Sequence, residues 1–382
     1  MEYKRLGDYI REMNVRNREL RVTNLVGLTI DKAFIPSVAN IIGTDLSNYK
    51  VIEKEQFACS LMQVSRDGKI PVAMFEEDAA IMSPAYPMFE VVDKTILLPR
   101  YLMMWFSRKE FDREASFYAV GGVRGSLTWE DFCNMRLPIP TLARQREIVS
   151  EYETLTRRIR LNEQMITKLE ETAQALYRKM FVDGIDEENL PEGWRMGMIE
   201  DLGDVVGGAT PSTDNPTLWC ENGISWLSPA DLSKQATKFI SRGAKDITEL
   251  GYNSCSTKML PKGSVLFSSR APIGLMAIAA KDLCTNQGFK SIIPNEGVGT
   301  EYVYYYLKSI KDKIAEENTG STFDEVSGQI MKGYSAIIPP FNITKEFSNL
   351  VQPAFNLQYN IEQENEKLTE LQSLLLARMG KK

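Results

Sequence analysis

The chain repeats itself once, and no other feature of the sequence constrains its fold as tightly. At a constant offset of 199 residues, Glu147 matches Glu346, Glu163-Gln164 matches Glu362-Gln363, and Lys168-Leu169 matches Lys367-Leu368. Leu176 then matches Leu375, and Lys179-Met180 matches Arg378-Met379, without a gap. Upstream, Leu6-Gly7-Asp8 pairs with Leu202-Gly203-Asp204, Arg100-Tyr101-Leu102 lies near Glu301-Tyr302-Val303, and Gly121-Gly122 lies near Gly320-Ser321. Chance explains one or two identities but not an ordered series. The chain is a tandem duplication of roughly 190 residues. Its 382 residues also exceed what one ordinary core serves, so at least two domains are expected.

Each copy has the same plan: a globular section punctuated by Gly and Pro, an Ile-Pro or Pro-Pro boundary, then a long helix. Pro138, Pro140, Pro339 and Pro340 are the breaks, because the residue before a proline is pushed out of helical geometry. Short β-rich runs such as Val265-Leu266-Phe267 and Met276-Ala277-Ile278 alternate with helical ones such as Tyr302 to Ala315. This pattern predicts an α/β (α+β) fold with a small sheet.

In the first long helix, Ile148, Tyr152, Leu155, Ile159, Asn162, Ile166, Leu169, Ala173, Leu176 and Met180 follow a strict 4,3,4,3 spacing. This is a heptad seam with one polar residue, Asn162, near its middle. From Arg144 to Phe181 such a helix extends roughly 55 Å at about 1.5 Å per residue. The second seam is read as Leu350, Ala354, Leu357, Ile361, Leu368, Leu371 and Leu375, diluted by Asn365 and Gln372. Pro353 is expected to separate a short lead-in helix from the long one. Neither helix hides its stripe alone. The expectation is an antiparallel coiled coil with the globular domains at opposite ends; the alternative is that each helix packs on its own domain. The resulting boundaries are 1–143, 144–185, 186–341 and 342–382. Asn162 is read as a register or interface device.

Composition narrows the function. There is no histidine, which removes Ser-His-Asp and Cys-His triads, histidine-liganded zinc sites and histidine-dependent nuclease centres together. The five cysteines, Cys59, Cys133, Cys220, Cys255 and Cys284, are scattered and form no Cys-x-x-Cys pair, so disulfides and a zinc ribbon are not expected. The polar start Met1-Glu2-Tyr3-Lys4-Arg5 has no signal-peptide stretch after it. The longest apolar run, Ile96 to Phe106, is too short to span a bilayer, so a cytoplasmic, non-membrane protein is expected. A formal charge of −6 argues against a protein that coats DNA unaided, although a local basic face or a partner can supply phosphate contacts.

The stretch Gly207-Gly208-Ala209-Thr210-Pro211-Ser212-Thr213, Trp219, and Ile224-Ser225-Trp226-Leu227-Ser228-Pro229-Ala230-Asp231-Leu232 strongly resembles the opening of a target recognition domain from type I restriction–modification specificity subunits. The likeness continues through Leu260-Pro261-Lys262-Gly263-Ser264, Ser268-Ser269-Arg270-Ala271-Pro272-Ile273-Gly274 and Thr285-Asn286-Gln287-Gly288-Phe289. In the first copy, Gly121 to Leu127 and Met135 to Pro140 resemble the end of such a domain, whereas Asp8-Tyr9-Ile10-Arg11-Glu12 departs from the usual opening. The resemblance implies a chain without a catalytic centre, in which two domains each read one half of a split, asymmetric site in double-stranded DNA. It implies two methyltransferase (modification) subunits and restriction/translocase subunits as partners. S-adenosylmethionine, ATP and magnesium would sit on those partners, with no cofactor in this chain. The helix pair would act as spacer and dock.

Base reading needs donors and acceptors on loops: Arg for guanine, Asn or Gln for adenine, Ser or Thr for either. The candidates in the second domain are Thr210, Ser212, Arg270, Asn286, Gln287 and Lys290, with Lys258 and Lys262 on phosphates. In the first they are Arg16, Arg18, Arg66, Lys69 and Arg124. Each is equally open to being a turn or solvated-surface residue, and Trp219 and Trp226 are read as core rather than stacking platforms. Other readings stay open. Ile338-Pro339-Pro340-Phe341 superficially resembles an Asn-Pro-Pro-Tyr/Phe adenine methyltransferase motif, but Ile338 cannot accept the required hydrogen bond. No phosphate loop or glycine-rich nucleotide motif accompanies it. A coiled-coil adaptor, or a specificity protein of another methyltransferase-based defence system, completes the alternatives.

Overall fold

The computed structural model describes residues 2–38, 43–62, 64–120, 125–235, 237–319 and 325–380. It forms two compact units, Met1–Arg160 with Glu366–Lys382, and Leu161–Asn365. Two helices dominate the chain: a central one, Leu142–Phe181, of 40 residues, and a second, Phe341–Arg378, of 38. At about 1.5 Å per residue each is close to 60 Å long.

The duplication is visible in the geometry. In the first unit the strand Tyr3–Arg5 pairs antiparallel with Arg136–Pro138, just before the central helix. In the second, Arg195–Met198 pairs antiparallel with Ser335–Ile338, just before the other long helix. Tyr101, fully buried, donates its hydroxyl to the Pro138 carbonyl at 3.1 Å, and its counterpart Tyr302 donates to the Ile337 carbonyl at 2.6 Å. Near the helix starts, the Gln145 amide donates to the Ile96 carbonyl at 2.7 Å and the Thr344 hydroxyl to the Gly297 carbonyl at 2.8 Å. Both copies thus place a side-chain donor on a backbone carbonyl at the equivalent position.

The first unit contains a four-stranded antiparallel sheet, Ile10–Met13, Met88–Val91, Phe57–Cys59 and Val72–Met74 in spatial order. Its core is aromatic: Phe57 stacks on Phe89 at 5.1 Å between centroids, and Phe106 lies 4.9 Å from Phe111. Val149 of the central helix and Met379, just past the end of the other, join that core, and Leu376 in the last turn of the second helix packs against it. Arg108 lies over the Trp105 ring at 4.0 Å and donates to the Leu376 carbonyl at 3.0 Å, meeting the last turn of the second long helix with a cation.

In the second unit, a five-stranded sheet orders Gly203–Gly207, Lys290–Pro294, Val265–Phe267, Met276–Ala279 and Phe239–Ile240. A four-stranded one orders Trp219–Cys220, Lys245–Ile247, Ile224–Leu227 and Cys284–Thr285. Ala173, Tyr177 and Phe181 pack with Phe347, Val351 and Phe355 around Tyr302 and Tyr305. Asn162 is buried and donates to the Asn365 side chain at 2.8 Å and to Glu364 at 3.1 Å. In the first unit, Gln372 donates to Thr156 at 2.7 Å.

The central helix is half-buried or buried at Ile148, Leu155, Ile159, Asn162, Ile166, Leu169 and Leu176, as the 4,3 spacing predicts. The second long helix differs from its sequence reading in two respects. Leu357 is 43% exposed and Leu350 52%, because the stripe there runs through Phe347, Val351, Phe355, Gln358 and Ile361, facing the globular core, and Leu371 further along is exposed as well. Leu368 and Leu375, further along, are half-buried. Pro353 lies inside the helix and does not end it.

A polar network ties strand and helices together in the second unit. The Glu170 carboxylate accepts from Lys238, from Lys308 at 2.5 Å and from the Tyr305 hydroxyl at 3.2 Å. Lys238 is buried among rings, 4.2 Å from the Phe355 centroid. The Glu362 carboxylate accepts the backbone N–H groups of Lys238 and Phe239. Burial works against charge on Glu170, but Lys238 and Lys308 outweigh it and hold the carboxyl below its ordinary range. Burial pushes Glu362 up. Since Glu170 titrates below its unfolded value, its contribution is present above about pH 4.3 and is lost as pH falls through the folded value. Glu170→Ala, which strands Lys238, is expected to cost about 3–5 kcal/mol in urea unfolding at neutral pH. The gap to the unsubstituted chain should narrow as the pH is lowered through the carboxylate range.

Candidate nucleic-acid interface

Three loops of the second unit meet at one surface, and backbone bonds fix how they meet. The Gly208 turn lies directly on the strand end at Thr285: a Cβ added at Gly208 would stand 2.0 Å from the Thr285 carbonyl oxygen. The Ala209 N–H donates to that carbonyl at 3.0 Å, and the buried Trp226 indole N–H donates to the Ala209 carbonyl at 2.9 Å. Only glycine allows so close a backbone approach. In the second loop the buried Ser268 hydroxyl donates to the Pro272 carbonyl at 2.7 Å and accepts from the Leu275 N–H at 2.8 Å. Arg270 stands at the tip of this closed turn. In the third, the Asn286 side chain accepts from the Gly288 N–H at 2.8 Å, an Asx turn that presents the exposed Gln287.

The side chains then join. The Thr210 hydroxyl donates to the Gln287 side-chain oxygen at 2.6 Å. Lys290 donates to the Ser269 hydroxyl, to the Gln287 carbonyl and to Glu325, each at 3.3 Å. Arg270 donates to the other oxygen of Glu325 at 3.4 Å. The surface continues through Ser212, whose carbonyl accepts from the Trp219 indole N–H at 3.0 Å. Beyond it lies an open cleft of about 590 Å³ lined by Thr213, Trp219, Asn222, Arg242, Lys245 and Asp246. Lys245 lies 5.4 Å from the Trp219 ring centroid, and Arg242 pairs with Asp246 at 3.0 Å.

Five of the sequence candidates, Thr210, Arg270, Asn286, Gln287 and Lys290, therefore come together, with Ser212 beside them. Asn286 spends its side-chain oxygen on the turn itself. Lys258 is exposed and follows Thr257, whose hydroxyl donates to the Thr285 carbonyl at 2.9 Å. Lys262 does not join the cluster: it lines another cleft with Thr300, Phe355 and Tyr359. In the first unit Arg66 pairs with Asp67 at 2.7 Å and Lys69 with Asp31 at 2.9 Å. Arg16 donates to the Asn48 carbonyl at 2.5 Å, and Arg18 is exposed. No hydrogen bond or ion pair among the described residues joins Arg16 or Arg18 to Arg66 or Lys69. Arg124 lies outside the described residues.

Sequence reading missed Glu325, Arg242, Lys245 and Asn222. No motif marks them; Glu325 reaches the cluster because the Val326 N–H donates to the Ser269 carbonyl at 3.0 Å. Trp226 is buried, as read, whereas Trp219 is half-buried on the rim of the cleft. Ile338 ends a strand and Phe341 starts a helix, so the Ile-Pro-Pro-Phe stretch is a strand–helix junction. Among the described residues no cluster of His, Cys, Asp and Glu could hold a metal, and no helix is long and apolar enough to cross a membrane.

The family model for the type I restriction modification DNA specificity domain matches residues 41–171 and 191–372. The chain is similar to the type I restriction enzyme MjaIX specificity subunit of Methanocaldococcus jannaschii, 37% identical over 49% of this chain and 43% of the relative. It is also similar to the HindI specificity subunit of Haemophilus influenzae, 30% identical over 56% and 47%. These matches span about half the length of those relatives. A crystal structure of a type I restriction–modification S subunit from M. genitalium shares the fold, with a TM-score of 0.62 at 11% identity, over 99% of this chain and 95% of that one.

Gly208→Ala must push the loop off Thr285, and overpacking against backbone costs roughly 1–3 kcal/mol. The expected outcome is a lower melting temperature together with weaker binding to duplex DNA.

Proposed function

The chain belongs to the type I restriction–modification DNA specificity family, and on that premise we propose that it is the sequence-reading subunit of such an enzyme. It would bind a bipartite, asymmetric DNA site, residues 1–143 reading one half and 186–341 the other. The observation that carries the reading is the loop surface around Thr210, Gln287, Arg270 and Lys290, where neutral hydrogen-bonding groups and cations share one face. Base edges demand the first kind of group and phosphates the second. That surface is braced by buried residues, Ser268, Ser269 and Trp226, so its geometry is set before DNA arrives.

The long helices would form an antiparallel coiled coil that spaces the two readers and docks two methyltransferase subunits, with restriction subunits joining them. The Asn162–Asn365 and Thr156–Gln372 hydrogen bonds support the pairing. Half-sites about one helical turn, roughly 34 Å, apart present the same duplex face. A helix of 40 residues is long enough to hold that separation. Methylation would use S-adenosylmethionine bound by the partners, and this chain would contribute recognition alone.

The test is co-expression with a cognate methyltransferase in a methylation-free host, followed by modified-base sequencing. A two-part adenine motif with a fixed gap should appear, and it should vanish when this chain is omitted; methylation that persists without the chain would contradict the proposal. Lys258→Ala, at an exposed cation beside the cluster, should weaken binding evenly across sequences and reduce the salt slope by about one phosphate contact.

A further inference from the structure

Glu325 is out of place on a surface built to meet phosphates. A carboxylate there repels the DNA backbone unless its charge is masked, and the structure masks it: each of its two oxygens faces one cation. Arg270 approaches one at 3.4 Å and Lys290 the other at 3.3 Å. Its backbone is pinned, since Val326 is fully buried and donates its N–H to the Ser269 carbonyl at 3.0 Å. Even so, the Glu325 side chain is 35% exposed, at the long end of hydrogen-bond range from both cations. A purely structural ion pair gains from short contacts and burial; here both contacts are long, and Glu325 and Arg270 stay open to solvent although Lys290 is largely covered. An ionised carboxylate offers about four lone-pair directions, and two cations leave some of them for another donor.

We propose that Glu325 is a specificity-determining residue. Its carboxylate accepts a hydrogen bond from the exocyclic amino group of a base in the half-site read by residues 186–341, while Arg270 and Lys290 hold it in position and cancel its repulsion from phosphate. The group that a carboxylate reads in the major groove is an amino donor, most simply cytosine N4. The inference rests on the DNA-reading function proposed above. It goes further by naming the acceptor and the base chemistry it selects.

The experiment is motif mapping with the intact complex in a methylation-free host, comparing the unsubstituted chain, Glu325→Ala and Glu325→Gln, with the melting temperature of each purified complex. Glu325→Gln keeps the side chain's size and one acceptor oxygen, so it reads the effect of charge without a cavity. The expected result for Glu325→Ala is methylation of the original sites plus new ones that differ at a single position of one half. Discrimination at that position should fall roughly 5- to 150-fold, the equivalent of one good base contact. Glu325→Gln should be intermediate, with the other half and the gap unchanged. Relaxation at a G·C pair assigns the contact to cytosine N4, and relaxation at an A·T pair to adenine N6. An unchanged motif in both variants would overturn the proposal. So would an even loss of methylation at all sites, which is what releasing Arg270 and Lys290 alone would do. Methylation that never depended on the chain would instead refute the DNA-reading function beneath it.

Discussion

Neither globular domain closes its core without the long helices. Val149 of the central helix and Met379 at the end of the other enter the first core. Tyr177 and Phe181 enter the second beside Phe347 and Val351. An apolar stripe on an isolated helix is a solubility problem; shared with a domain core, it becomes the element that orients the domain. The polar contacts have the same effect at finer grain. Arg108 meets the carbonyl end of one helix, and Glu170 draws Lys238 and Lys308 onto the other. Removing one partner of a buried ion pair such as Glu170–Lys238 leaves a charge uncompensated, which makes the contact costly to break even where the intact pair adds little.

What the helices and cores hold steady is a set of loops. The candidate interface is made of turns, but each is closed by its own hydrogen bond: buried Ser268 within its loop, half-buried Asn286 through its Asx turn, buried Trp226 under Ala209. Loops on such a scaffold can differ in sequence while the frame stays constant. Thr210 and Gln287, 77 residues apart, meet at 2.6 Å only because Gly208 lies flat on the strand that ends at Thr285.

Much of this was legible in the sequence, for physical reasons. Periodicity is local, so the central helix and its seam follow directly from the 4,3 spacing. The duplication predicts equivalent contacts, and Tyr101 and Tyr302 make them. The second long helix was harder, because it serves two environments in turn. Its first half faces aromatic core residues, which shifts the buried stripe onto Phe347, Val351 and Phe355 and leaves Leu357 in solvent. Pro353 forbids one helical hydrogen bond, a cost that surrounding packing can absorb without ending the helix. The loop candidates were identifiable by residue type, yet their grouping was not. Lys262 shares a loop-rich stretch with Arg270 but faces another cleft, and Glu325 arrives from 55 residues beyond Arg270. Long-range contacts of that kind leave no signature in one sequence.

On the proposed function, two separate readers act independently within one chain. The most direct measurement replaces residues 1–143 with the matching segment of another family member and maps the methylated motif of the resulting complex. One half of the motif should change while the other half and the gap stay as they were. A motif altered in both halves, or one wholly unaltered by the exchange, would contradict it.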